Sequence, residues 1–462
     1  MTNLAHGSKD TIAAIATPAG KGGIGVVRVS GPLVAEIAVK VLGKLPKPRV
    51  ATFSTFSDSD GQNIDHGLGL YFPAPHSFTG EDVLELQGHG GPIVIDLLLQ
   101  RTLELGARIA NPGEFSLRAF LNDKIDLTQA EAIADLINSS SKQAAKGAIN
   151  SLQGEFSARV NALDKKVVGL RLFIEAAIDF PEEEIDFLQN DRIGQSIKEI
   201  QEGLNACLGQ TRQGAVLNDG ISLVLAGKPN AGKSSLMNAL CGKDTAIVTD
   251  HAGTTRDVLT EKIQMDGIPI NLFDTAGLRE TDNPVEKEGV KRALEETGRA
   301  DIVLLLVDVS DCREAWRDEV NDLLSIIEGQ GTVVVLLNKT DLLEQPLSEK
   351  HTHVATDSNW SVLQISAKTR EGILELKTTI KQIVGYVDTS EGVVLARRRH
   401  IHALEKASEA VERGRVQLAT YMAGELLAEE LKIAHESLCE ITGEFSSDDL
   451  LGEIFSSFCI GK

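Results

Sequence analysis

The chain is short of the features that mark secreted, membrane-spanning or strongly basic proteins. Cysteine is sparse: Cys207, Cys241, Cys312, Cys439 and Cys459 are the five in 462 residues, and none is spaced C-x-x-C. An odd, scattered set argues for a reducing, cytosolic setting. No apolar stretch approaches the ~18–20 residues of a membrane span, so no membrane association is expected. Met1–Gly7 has no basic patch leading into an apolar core, so no signal peptide is expected and the location reads as cytoplasmic. Positive charge is also scarce, with 46 Lys and Arg against 67 Asp and Glu and a net charge of −21. That balance excludes indiscriminate nucleic-acid binding through the global field, while leaving room for a local basic face. Arg397-Arg398-Arg399-His400 is the densest candidate, and a solvated helix start is its plainer reading. There is no internal repeat and no low-complexity segment.

What is present begins with Gly227-Lys228-Pro229-Asn230-Ala231-Gly232-Lys233-Ser234, a complete G-x-x-x-x-G-K-[ST] phosphate loop. The apolar run Ile221–Ala226 before it suits a buried strand, and Ser235–Leu240 after it suits the first turns of a helix. That strand–loop–helix setting is what the motif requires. Glycines let the backbone wrap phosphates, and N–H groups point to them at a helix N-terminus. Lys233 is expected to reach the β- and γ-phosphates, and the Ser234 hydroxyl to ligate Mg²⁺.

Further segments follow in the order a GTPase needs. Ile268–Phe273 leads into Asp274-Thr275-Ala276-Gly277, where the Asp can hold Mg²⁺ through water and the Gly N–H can sense the γ-phosphate. Val333–Leu337 runs into Asn338-Lys339-Thr340-Asp341. The Asp341 carboxylate can accept from N1–H and the 2-amino group of guanine, and adenine lacks both donors. Ser366-Ala367-Lys368 falls where a backbone N–H meets the guanine O6. Gly253-Thr254-Thr255-Arg256-Asp257 is the candidate first switch, with Thr255 as second protein ligand of Mg²⁺. Together these define a Ras-like GTP-binding domain. One position departs from the usual hydrolase: Leu278 stands where a Gln often orients the attacking water, and leucine cannot position water. Glu280, Asp282 and Glu286 are the nearby carboxylates, in a stretch whose bland reading is a solvated loop.

Length alone allows about three domains. Residues 8–120 alternate short apolar runs with Gly and Pro, an α+β texture, with strands expected at Thr11–Ala16, Ile24–Val29 and Val83–Gln87. From about 125 the spacing becomes helical, as in Leu127–Ile137, and continues to about 178, near 193–208 and over 397–439. Helical segments on either side of an α/β segment suggest one discontinuous α-helical domain interrupted by an inserted GTPase domain.

The assembled residues resemble the MnmE (TrmE) family of tRNA-modifying GTPases over essentially the whole chain. The carriers are Thr17–Gly23, Phe78–Asp82, Gly88–Gly91, Pro112–Phe115, Arg118–Lys124, Ile178–Glu183 and the terminal Cys459-Ile460-Gly461-Lys462. Ala19 stands where that family often has a second proline, and Lys21 where Arg is frequent. The resemblance implies a multidomain chain: an α+β N-terminal folate-binding and dimerisation domain over 1–124, a helical domain over 125–217 and 387–462, and an inserted Ras-like P-loop GTPase domain over 218–386. It implies a 5-formyltetrahydrofolate or related reduced folate contacted by Arg28, Glu85, Lys124 and Lys462. It implies that Asn230, Ala231, Gly232, Lys233, Ser234, Ser235, and Thr249-Asp250-His251-Ala252-Gly253-Thr254-Thr255 surround GTP and its ions. Within that set K⁺ falls to Asn230, Thr249, His251 and Thr254, and water activation to Glu286. It further implies a homodimer, a heterotetramer with the FAD protein MnmG (GidA), and a tRNA substrate modified at C5 of its wobble uridine, U34.

Two readings stay open at this stage. An assembly-type switch GTPase would share the nucleotide motifs, but has no need of the N-terminal blocks or of a Cys-Ile-Gly-Lys end. Cys459 can be a packing cysteine or a functional thiol near the folate, while Gly461 and Lys462 fit a prenylation signal poorly. Phe455 and Phe458 are expected to anchor this tail by burial.

Overall fold

Period-two alternation over the first hundred residues builds a sheet with helices on it. The computed structural model describes residues 10–179, 191–241, 260–274, 300–310, 316–326, 331–343, 360–386, 393–444, 448–456, 458 and 461. The chain divides into two compact units, one of residues 1–137, 151–201 and 406–462, the other of 138–150 and 202–405.

The first unit starts with β1 (Ile12–Ile15), β2 (Gly25–Ser30), α1 (Val34–Leu42), β3 (Thr52–Ser57), β4 (Asn63–Phe72), β5 (Val83–Gly88), α2 (Pro92–Glu104), β6 (Arg108–Ile109) and α3 (Glu114–Leu121). The strands at β1, β2 and β5 fall where the alternation places them. The sheet order is β3-β4-β5-β2-β1-β6, antiparallel except for the β1–β6 pair. Ala13, Val27, Val29, Leu84 and Leu86 turn to one face and pack with Ile37, Val41 and Leu98 of α1 and α2. Their neighbours Ile12 and Ala14 turn to the other face, against Ala110 and Phe115. This is the strand period at work: adjacent residues serve opposite cores.

Helices follow where the 3.6-residue spacing begins: α4 (Leu127–Asn138), α5 (Lys142–Leu152), α6 (Glu155–Asp179) and α7 (Asp191–Asp219). The second unit's sheet is made by β7 (Ile221–Gly227), β8 (Thr260–Met265), β9 (Ile268–Asp274), β10 (Ile302–Asp308), β11 (Thr332–Asn338) and β12 (Trp360–Gln364). Its helices include α8 (Lys233–Cys241), α9 (Trp316–Ile326) and α10 (Ile373–Ile383). The order is β12-β11-β10-β7-β9-β8, all parallel except the antiparallel edge strand β8. β10 is buried along its whole length, as a central parallel strand covered on both faces must be.

The chain continues with α11 (Arg398–Tyr421), α12 (Gly424–Thr442) and α13 (Asp448–Ser456). The basic run at 397–400 is a helix start, with His400 buried and its Nδ1 accepting the Arg397 N–H at 3.1 Å. Phe455 and Phe458 are buried with Leu127, Leu451 and Ile454, which anchors the tail as expected. No helix among the described residues is long and apolar enough to cross a membrane.

Candidate nucleotide-binding site

Register in the second sheet brings the C-terminal ends of its strands level. Leu225 pairs with Asp274, Gly227 with Leu306, and Asp308 with Asn338. Strand β7 lies between β10 and β9, so the strand order reverses at the phosphate loop. A crevice at such a reversal, beyond the carboxyl ends of the strands, is where α/β sheets bind ligands. The loop turns on Asn230 at φ 66° and Gly232 at φ 103°, and α8 begins at Lys233, two residues before the expected Ser235. A Cβ on Gly232 would run into the Asn338 amide, so this position requires glycine for space as well as for φ. Ser234 and Ser235 are exposed at the helix N-terminus, and the Lys233 ammonium donates to the Gly227 carbonyl at 2.6 Å.

The Asn338–Asp341 and Ser366–Lys368 segments are tied to that loop. Asn338 is buried; its Nδ2 donates to the Ala231 carbonyl at 2.7 Å and its Oδ1 accepts the Ala367 N–H at 3.0 Å. One side chain thus joins the phosphate loop, the end of β11 and the segment after β12. The Asp341 carboxylate is held by the Ser366 hydroxyl at 2.7 Å. Lys339 adopts φ 67° and pairs with Asp308 at the end of β10. Burial pushes the Asp308 carboxyl up, but Lys339 and the two hydrogen bonds from Ser310 outweigh it and hold the carboxyl below its ordinary value. Asn230 to Ser235, Asn338, Lys339, Asp341 and Ser366 to Lys368 therefore gather at one edge, where Asp274 ends its strand. Thr249 to Thr255, Thr275, Ala276, Gly277 and Glu286 lie outside the described residues.

In the N-terminal sheet, Arg28 and Glu85 are directly opposed across β2 and β5 and form an ion pair at 2.9 Å. The Arg28 guanidinium lies 6.0 Å from the Phe78 ring centre and 5.8 Å from that of Phe115. Lys124 is exposed, and its stem adjoins Gly80, two residues from Phe78, so the 78–80 turn adjoins both groups. Lys462 and Cys459 lie outside the described residues.

Sequence reasoning missed two clusters in this unit. Buried Arg118 pairs with Asp10 at 2.8 Å, Glu81 at 3.0 Å and buried Glu114 at 3.0 Å, and Arg108 closes the network on Glu114 and Asp10. The motif residues Glu81, Glu114 and Arg118 are thus partners in one network: helical i,i+4 spacing could have paired Glu114 with Arg118, but no spacing rule joins Glu81 or Asp10 to them. The second cluster is Asp164, His435 and Cys439 on α6 and α12. The Cys439 thiol is pushed up to about 12 by burial and by the charges of Asp164 and Glu444.

A parallel sheet reversing at a G-K-S loop, with Asp341 poised beyond β11, defines a Ras-like P-loop GTPase domain. Comparison with known proteins gives the family. The family described as "MnmE helical domain" matches residues 127–459, and that described as "GTP-binding protein TrmE N-terminus" matches residues 11–124. A Vibrio cholerae protein named tRNA modification GTPase MnmE is 54% identical over 98% of this chain and 99% of its own. One of the same name from Shewanella amazonensis is 53% identical over the same shares. Among solved structures, the G domain of the T. maritima FeoB iron transporter is 26% identical, covers 35% of this chain and 98% of its own, and has a TM-score of 0.26. The chain belongs to the MnmE (TrmE) family.

Proposed function

We propose that the chain is a GTP hydrolase acting in tRNA modification, as its relatives are named. The observation that carries this reading is the Asp341–Ser366 pair, set level with the phosphate loop by Asn338. Ser366 N–H bonds the Glu371 carbonyl and Ala367 N–H bonds Asn338, so we assign the donor to guanine O6 to the Lys368 N–H. Ser234 and Thr255 would ligate Mg²⁺, and Lys233 would leave its loop carbonyl for the phosphates. The αL turn at Asn230 and the glycine space at 232 fit a phosphate chain wrapped by backbone.

Leu278 leaves the water without an orienting partner, and we assign that task to Glu286. Asn230, Thr249, His251 and Thr254 would hold K⁺, with backbone carbonyls from 249 and 251. When bound, K⁺ supplies positive charge near the bridging oxygens, where negative charge develops. Hydrolysis is expected to run much faster in K⁺ than in Na⁺ at equal ionic strength, and Glu286→Ala is expected to abolish turnover with GTP affinity intact. Steady-state phosphate release in the two salts checks this, and equal rates would remove the potassium assignment.

The N-terminal reading is a folate site. Arg28 and Glu85 supply a charged pair beside the Phe78 ring, suited to the donors and the carboxylate tail of a reduced folate, with Lys124 and Lys462 as further cations. We further propose the domain limits 1–124, 125–217 with 387–462, and 218–386, a cytoplasmic homodimer, and assembly with the FAD protein MnmG to modify C5 of U34. The buried Phe455 and Phe458 support a tail that presents Cys459 as a functional thiol. Cys459→Ser is expected to lose wobble-uridine modification while retaining GTP hydrolysis. Normal modification in a strain carrying only that variant would leave Cys459 a packing role.

A further inference from the structure

His435 and Cys439 are four residues apart on α12, so both side chains leave the same face of the helix. That face packs along α6, which presents Asp164. Asp164 Oδ1 lies 2.6 Å from His435 Nδ1, and Cys439 Sγ lies 3.6 Å from the same nitrogen. The three donor atoms all fall within 4.8 Å of one another. Helix α12 then ends in a left-handed Gly443 at φ 91°, where the 443 and 444 N–H groups both return to the Cys439 carbonyl. That cap folds Glu444 back until its carboxylate is 3.7 Å from Sγ.

We propose that Asp164, His435 and Cys439 form a zinc-binding site, with Glu444 or a water as fourth ligand. Zn²⁺ takes Cys sulfur at about 2.3 Å and His nitrogen or carboxylate oxygen at about 2.0–2.2 Å, which at tetrahedral angles separates donors by about 3.3–3.6 Å. The sulfur–nitrogen and sulfur–Glu444 spacings already approach those values. The Asp164–His435 pair is closer because it is hydrogen-bonded, and opens by under about 1 Å when the ion enters between its atoms. Binding releases the thiol proton and leaves the imidazole neutral, so the site gives protons to solvent as it fills. The donor set selects the ion: a thiolate and an imidazole suit Zn²⁺, whereas Mg²⁺ and Ca²⁺ require oxygen. Access is available, since Asp164 and His435 keep 18% and 22% of their side-chain surface exposed while Cys439 is buried. Nothing in the nucleotide or folate readings uses these residues. The competing explanation is a hydrogen-bonded cluster that only locks α6 to α12.

The test is titration of the metal-free, reduced, full-length chain with Co²⁺ and then Zn²⁺. One equivalent of Co²⁺ should give a thiolate-to-cobalt charge-transfer band and visible bands of tetrahedral intensity, both lost on adding Zn²⁺. Cys439→Ser should remove the charge-transfer band. His435→Gln and Asp164→Asn should each weaken Zn²⁺ binding by more than about 100-fold, beyond the range usual for outer-shell partners. GTP hydrolysis unchanged in each variant marks an intact chain. Asp164→Asn keeps an acceptor for His435, so it stays informative if Cys439→Ser does not fold. No band in the parent chain, a band that survives Cys439→Ser, or Zn²⁺ affinity unmoved by Asp164→Asn overturns the proposal.

Discussion

An Asp341→Asn variant is expected to lose its preference for guanine and to hydrolyse xanthosine triphosphate in its place. Asp341 offers only acceptors, which match guanine N1–H and the 2-amino group. Asn offers an NH₂ that matches the 2-oxo group of xanthine and leaves the guanine amino group facing a donor. An unmatched buried polar group can cost about 10⁴–10⁵ in discrimination, so a reversal of at least about 10³ in relative kcat/KM is expected. The local structure favours a clean test. Ser366 Oγ donates to Asp341 Oδ1 at 2.7 Å, and an Asn carbonyl can accept the same bond, so the loop after β11 keeps its place. Asn338 is a different matter. It holds the Ala231 carbonyl and the Ala367 N–H from a buried position, so its loss would disturb all three segments without telling which one reads the base. Competition between the two nucleotides under single-turnover conditions gives the answer, and full guanine preference in the variant would show the base assignment to be wrong.

How much of this was legible beforehand follows from what short-range sequence can encode. The phosphate loop was legible because its function lies in consecutive backbone, and strand β7 and helix α8 flank it as the motif demands. Strands β2 and β5 were legible because apolar and polar residues alternate along them, and β1 because it is a short apolar run, buried on both faces. The long helices were legible from spacing, although α7 runs on to Asp219, well past the expected end near 208. What stayed hidden depends on residues far apart in the chain. Asn338 reads as a nucleotide ligand in an N-K-x-D motif, yet its amide bonds the Ala231 carbonyl, 107 residues away, and the Ala367 N–H. Asp10 and Arg118 meet across 108 residues, and Asp164 and His435 across 271. Gly113 stands in Pro112–Phe115, one of the segments that carry the family resemblance. Its φ of 65° and the Phe455 carbonyl pressed against the space a side chain would need give it a purely steric reason. Switch and tail residues with the sharpest chemical expectations, Thr255, Glu286 and Cys459, lie outside the described residues.

Arg118→Ala is expected to destabilise the N-terminal sheet by about 3 kcal/mol, the lower end of what breaking a buried ion pair costs. Arg118 and Glu114 are both buried, and the guanidinium also donates to the Asp10 carbonyl at 2.9 Å and to the Asp10 and Glu81 carboxylates. Removing it leaves Glu114 with Arg108 and the Asn111 N–H, Asp10 with Arg108, and Glu81 with the Ser30 hydroxyl, the last two carboxylates being also partly exposed to water, which is why the upper end is not expected. The pH dependence gives a second reading of the same network. Burial pushes the Glu114 carboxyl up, but hydrogen bonds from Arg108, the Asn111 N–H and Arg118 outweigh it and leave the group below its ordinary value. Asp10 is likewise raised by burial and lowered further by Arg108 and Arg118. A carboxylate whose folded value is depressed adds stability that is complete above its unfolded value and is lost as pH falls through the folded one. The gap between parent and Arg118→Ala should therefore be widest above about pH 5 and close on acidification. Because the chain has more than one unit, a single melting midpoint does not isolate this sheet. Hydrogen exchange of β1, β2 and β5 amides across that pH range does. Protection unchanged by Arg118→Ala at neutral pH would mean the network adds nothing to the sheet it spans.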